Sequence, residues 1–187
     1  NTNCSSRAVV GGSNGASTGS EGNVTRYKTI IESGRYNNLS VVNGYNSGGT
    51  YYIDAVGVYG NDYDRIAGDN SSLDVYATSA GNWGGSIYGK TDITPAITTI
   101  VKSGSFGTSK YDYTTGIYVG GLNYGTLYAP RQAIIEGGYI FNLLGGPLSA
   151  GSREGYNDIY MNIKGGSIDL VFTFSLFFSI FSSNSSM

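Results

Sequence analysis

The sequence contains no histidine, one cysteine and three prolines in 187 residues, and only 13% of its residues are charged. Each shortage closes off chemistry. Without histidine there is no Ser-His-Asp or Cys-His nucleophile, no imidazole acid or base and no histidine metal ligand. A lone thiol, Cys4, excludes an intramolecular disulfide framework and a thiolate zinc cage. It lies in a polar stretch with no base to activate it, so it reads as an idle thiol rather than a nucleophile. Eleven basic and thirteen acidic residues leave a net charge of -2 with no basic run. Such a surface has no field to draw in a nucleic-acid backbone, and no nucleic-acid partner is expected.

What fills the chain is glycine, with 30 residues, and 24 Ser, 16 Asn and 15 Thr beside it. These types disfavour helix interiors. Disorder is also disfavoured, because 40% of the residues are apolar, 13% are aromatic and 17 are tyrosine. The expectation is a turn-rich all-β protein. The chain opens on Asn1 without a leader pattern, as a mature product or an excised fragment would. Five Asn-x-Ser/Thr matches, such as Asn23-Val24-Thr25, follow from the composition alone.

A repeat lies under the glycines. Thr29-Ile30-Ile31-Glu32-Ser33-Gly34, Thr99-Ile100-Val101-Lys102-Ser103-Gly104, Ala133-Ile134-Ile135-Glu136-Gly137-Gly138 and Met161-Asn162-Ile163-Lys164-Gly165-Gly166 superimpose. The first and third positions are mostly apolar, the fourth is charged, the fifth is small and the sixth is glycine. Weaker copies carry Gly57 and Gly81, and Gly12 is a further candidate. These corner glycines imply a repeat of roughly 23 residues per coil. Insertions follow Phe106 and Ile140, which puts Lys110-Tyr111-Asp112-Tyr113 and Leu148 to Tyr156 in loops. Stacked coils would align Ile31, Val101, Ile135 and Ile163, and would let Glu136 pair with Lys164 across coils. Glycine at each corner supplies positive φ without a Cβ penalty.

This pattern resembles the right-handed parallel β-helix repeats of the pectin-lyase-like class, and most of all the non-enzymatic repeats of bacterial and phage surface proteins and adhesins. The resemblance implies a solenoid of about seven coils of ~23 residues with two loop insertions. It spans residues 9–169, between an N-terminal extension (1–8) and an atypical apolar C-terminal segment (170–187). That last segment, Leu170 to Phe181, has neither glycine nor charge. It is too short for a membrane-spanning helix, which needs about 20 apolar residues. It reads as a cap or non-native end, with self-association through Phe172–Phe181 as the sharper alternative.

The resemblance also sets the functional expectations. The pectin-degrading hydrolases of this class use a histidine near paired aspartates, and this chain has none. The expectation is a non-catalytic, extracellular or cell-surface module without a cofactor. A polysaccharide lyase or glycosidase is the enzymatic alternative, with Arg65 beside Asp62, Asp64 or Asp69. The same three acids offer oxygens to Ca²⁺, but they depart from the EF-hand loop and read first as a self-capping turn. Tyrosines near the glycine-rich turns, Tyr51, Tyr52, Tyr111, Tyr113, Tyr124 and Tyr128, are the candidate glycan-binding residues, since phenol rings stack on sugars and carry a polar tip. Trp83 occupies the slot of Tyr36, Phe106 and Tyr139 and reads as packing. A purely structural repeat or filament module is the remaining alternative.

Overall fold

A computed structural model describes residues 4–11, 17, 19–33, 36–43, 45–46, 50–60, 74–78, 81–82, 86–89, 95–108, 116–118, 126–128, 130–144, 159–172 and 178–182. Within them every regular element is a β-strand. In chain order, β1 (Cys4–Gly11) is followed by β2 (Thr25–Ile31), β3 (Tyr36–Asn43) and β4 (Tyr45–Asn46). Next come β5 (Thr50–Tyr59), β6 (Asp74–Thr78), β7 (Gly81–Asn82), β8 (Ser86–Tyr88) and β9 (Ile97–Val101). Then come β10 (Ser105–Phe106), β11 (Gly116–Tyr118), β12 (Thr126–Tyr128), β13 (Arg131–Ile135) and β14 (Tyr139–Leu144). β15 (Ile159–Ile163), β16 (Ser167–Phe172) and β17 (Phe178–Ser182) close the series.

All pairings between these strands are parallel, and they form two long ladders. One runs β1-β3-β6-β11-β14-β16, with β10 also on β14. The other runs β2-β5-β9-β13-β15-β17. The N-terminal part of β5 continues onto β8 and β12, and β4 pairs with β7. Each strand therefore pairs with its counterpart one turn of the chain later. The all-β expectation holds, with parallel sheets throughout.

Register converts sequence into columns. In the second ladder Ile31, Tyr59, Val101, Ile135 and Ile163 occupy adjacent positions. In the first, Val9, Val41, Ala77, Ile117, Leu143 and Val171 do the same. Alternation sends one set of side chains inward: β9 and β13 both run buried, half-buried, buried, half-buried, buried. The two ladders meet in one core, where Tyr59, Val101, Ala133, Ile135 and Met161 pack with Phe106, Ile117, Ile140 and Leu143. Each buried Val, Ile, Leu, Phe or Met among them contributes about 1.5–3 kcal/mol. A second cluster joins Ile53, Ala55, Ala96 and Ile97. Among the described residues Arg131, Thr99, Ser105 and Asn142 are the buried polar ones, and each is engaged in an interaction.

The corners explain the Gly-Gly pairs. Gly104, Gly138 and Gly166 have φ of 90°, 93° and 87°. A Cβ on Gly138 would lie 2.8 Å from the Gly104 carbonyl oxygen, and one on Gly166 would lie 2.6 Å from that of Gly138. The corner is itself laddered, because Tyr139 N donates to Gly104 O at 2.7 Å and Ser167 N to Gly138 O at 2.8 Å. Just before the corner, Lys164 Nζ reaches Glu136 Oε1 at 3.3 Å on the neighbouring rung, the cross-rung pair anticipated from the motif. Both side chains are exposed, so this pair contributes at most ~1 kcal/mol.

Several expectations are corrected by register. Gly57 is no corner: it sits inside β5 between Thr29 and Thr99. Gly81 opens β7 opposite Tyr45, away from the Gly104 column. The short period read from glycine spacing therefore fails. The Ile31 column is also unevenly spaced along the chain, for the turn from Tyr59 to Val101 is half as long again as the turn from Ile31 to Tyr59. Gly12 and Gly34 lie outside the described residues. The first insertion has a defined base. The chain leaves at Gly107 and re-enters at Gly116, whose backbones approach closely, while β10 and β11 both remain on β14. The second insertion does not begin at Ile140, because β14 continues to Leu144. The expected boundary after residue 8 falls within β1, and the one after residue 169 falls within β16. Beyond it, β17 pairs with β15 over its whole length.

Replacing a corner glycine tests this geometry. Gly138→Ala is expected to cost more than the ~1–2 kcal/mol of a left-handed alanine, because its Cβ also meets a carbonyl. Gly22, with φ of 75° and no atom within 4 Å of a built Cβ, bears the backbone cost alone. Urea titration of Gly138→Ala and Gly22→Ala measures the difference, and equal losses would contradict the laddered corner.

Candidate functional site

Alternation along β5 turns Ile53 and Ala55 inward, fully buried, and leaves Thr50, Tyr52 and Asp54 on the other side. Register then repeats this outer side. Thr50 pairs with Ser86 and Ser86 with Thr126, while Tyr52 pairs with Tyr88 and Tyr88 with Tyr128. A row of hydroxyl residues thus runs beside a row of tyrosines along the ladder axis. The Tyr52 and Tyr88 rings stack, with centroids 4.9 Å apart and planes at 18°. That separation is the strand spacing, so the stacked arrangement is set by the backbone.

The rung preceding β5 ends the row. Thr50 N donates to Ser17 Oγ at 3.2 Å, which brings Gly19 beside Tyr52. Gly19 has φ of 72°, and a Cβ there would lie 2.6 Å from Tyr52 O. Between Gly19 and β2 the chain makes a small excursion, closed by paired 2.9 Å hydrogen bonds between Ser20 and Asn23. Two positions beyond Tyr52, Arg26 Nε and Asp54 Oδ2 lie 3.6 Å apart across β2 and β5. Tyrosine, hydroxyl and ion-paired residues therefore share one outer strip.

This strip carries the stacked Tyr52 and Tyr88 rings, Thr50 and the exposed Arg26–Asp54 pair, with Ser86, Thr126 and Tyr128 at matching register positions. Those groups suit an extended, polyhydroxylated ligand lying along the ladder more than a compact one. They do not form a nucleophile–base constellation. Among the described residues no three His, Cys, Asp or Glu side chains gather as a metal site, and no helix is long and apolar enough to cross a membrane.

The structure brings together Tyr52 and the register position of Tyr128, through Tyr88, which sequence reasoning did not nominate as a binding residue. The missed signal was a tyrosine recurring at Tyr52, Tyr88 and Tyr128, each time two positions after Thr or Ser. Tyr51 is in the same strand, opposite Ile87, one position out of phase with the tyrosine row. Tyr111, Tyr113 and Tyr124 lie outside the described residues, as do Asp62, Asp64, Asp69 and Arg65. A separate aromatic group stands at the corner of the other ladder: Tyr139 packs edge-on against Phe141, and its hydroxyl donates to Asp169 at 2.5 Å.

Comparison of the chain with protein-family models, with curated proteins and with solved structures finds no match. The strip therefore rests on its own geometry. A double-mutant cycle on Tyr52→Ala and Tyr88→Ala is expected to return a coupling of about 0.5–1.5 kcal/mol, the range for stacked aromatic pairs. Additive losses in chemical denaturation would remove the stack from the account.

Proposed function

We propose that the chain is a right-handed parallel β-helix module of a cell-surface or extracellular protein, acting by adhesion without catalysis. The observation that carries this reading is the in-register Tyr52–Tyr88–Tyr128 row with its Thr50–Ser86–Thr126 companion. Right-handedness follows the general preference of parallel crossovers. In this reading the two ladders are walls of one solenoid, with five complete turns between β2 and β16 and a half-turn at each end. The resemblance to pectin-lyase-like repeats belongs to the same reading and is supported by the parallel ladders and the glycine corners.

The ligand is a neutral, extended glycan aligned with the solenoid axis. Its hydroxyls meet phenol and Thr/Ser hydroxyls at each rung, and the aromatic rings exclude water beside them. Affinity comes from repetition, because a single sugar spans only one or two rungs. Neither a cofactor nor Ca²⁺ is required for such binding.

A glycan array probed with the whole chain tests the proposal. Binding to extended neutral glycans is expected to strengthen with glycan length. Replacing Tyr52 or Tyr88 by Ser is expected to weaken it about fivefold each, equivalent to ~1 kcal/mol. Absence of binding to every glycan, or binding indifferent to both substitutions, would leave only a structural role.

A further inference from the structure

The Tyr52 and Tyr88 rings are turned on each other. Their centroids are 4.9 Å apart, one strand spacing, and their planes differ by 18°. Each ring therefore covers a face of the other, and both residues are half-buried. On the side before β5 the Gly19 backbone abuts Tyr52, close enough that a Cβ there would lie 3.0 Å from Tyr52 Cβ. Stacking on a sugar needs a free ring face. A ring that stands out from the sheet with its faces along the ladder turns its edge and its phenol hydroxyl to a ligand instead.

Register sets the spacing of the row. Tyr52, Tyr88 and Tyr128 occupy successive rungs, about 4.8 Å apart, and Thr50, Ser86 and Thr126 keep pace two residues earlier, about 6.6 Å away along the strand. This mesh of positions is straight and repeats once per rung. Pyranose chains differ in whether they can follow it. Linked through equatorial positions, as in β-1,4 glucans, a chain runs straight and advances close to one strand spacing per sugar. Linked through an axial position, as in α-1,4 glucans, each sugar turns relative to the last and the chain coils away from a flat strip.

We propose that the strip selects straight, equatorially linked glycans, one sugar to a rung, and reads them through the phenol hydroxyls of Tyr52 and Tyr88 rather than through the ring faces. The stack is then a positioning device. It holds the hydroxyls at the rung spacing, and the hydroxyls determine specificity. Arg26 and Asp54, two positions along, lie 3.6 Å apart and offset each other's charge, so a neutral chain meets no net charge there. This inference rests on the glycan-binding reading above and narrows its ligand to one linkage geometry.

Isothermal titration calorimetry of the whole chain with cellohexaose and maltohexaose tests it, because the two ligands differ only in linkage. Cellohexaose is expected to bind about tenfold tighter. Tyr52→Phe and Tyr88→Phe keep the stacked rings and remove only the hydroxyl. Each is expected to weaken cellohexaose binding about fivefold, as much as the serine variants, while the urea midpoint changes little. Maltohexaose bound as tightly as cellohexaose, or phenylalanine variants that bind like the parent, would overturn the inference and leave the glycan reading standing. No binding to either hexaose or to any glycan on the array would remove the glycan reading itself, and this inference with it.

Discussion

Parallel pairing of each strand with its counterpart one turn later is the constraint on which everything else depends. It places like residues beside like residues at the strand spacing. An aliphatic at one rung is useful only when the next rung presents another, because a single turn cannot bury its own inward row. The columns Val9 to Val171 and Ile31 to Ile163 present an apolar residue at every rung, aliphatic throughout except for the buried Tyr59. The stacked tyrosines and the Glu136–Lys164 pair obey the same rule on the outside, where the gain is smaller.

The corners make that pairing possible, and they are demanding in their own way. The backbones of successive corners approach closely enough to hydrogen-bond, and that approach leaves no room for a Cβ at Gly138 or Gly166. Positive φ and close approach coincide at these positions, so glycine is required twice over. Gly107 and Gly116 use the same freedom differently: their contact lets the chain leave the ladder and return to it without disturbing the strands on either side. Insertions of variable length are thereby compatible with a fixed rung geometry. The turn from Tyr59 to Val101 and the shorter one from Ile31 to Tyr59 likewise coexist in one ladder.

This combination decides what was legible in the sequence. The strand-plus-corner motif was readable where three requirements fell together: an apolar pair two apart, a charged residue facing water, and a small residue before glycine. Val101, Ile135 and Ile163 were placed correctly on adjacent rungs for that reason. The rung of Tyr59 was not, because Tyr59 is followed by Gly60 and Asn61 and lacks the motif. Gly57 was mistaken for its corner, since one glycine looks like another until register shows it lying between two threonines. Glycine spacing consequently implied too short a period. The tyrosine strip was half legible. Tyr52 and Tyr128 stood out beside glycine-rich turns, whereas Tyr88, which links them, was carried only by the recurring Thr/Ser-x-Tyr pattern, and the unequal turn lengths hid that recurrence.

Distance between rungs tests the central claim most directly. Lys28, Val56, Thr98, Gln132 and Tyr160 are consecutive positions of one outer row, so Lys28 and Tyr160 are four strand spacings apart. Nitroxide labels at Lys28 and Tyr160, read by pulsed electron paramagnetic resonance in dilute protein, should give a backbone separation of about 19 Å, four times ~4.8 Å. A narrow distribution centred there supports a parallel, in-register stack. A separation well above that value, or a broad distribution without a peak, would contradict it.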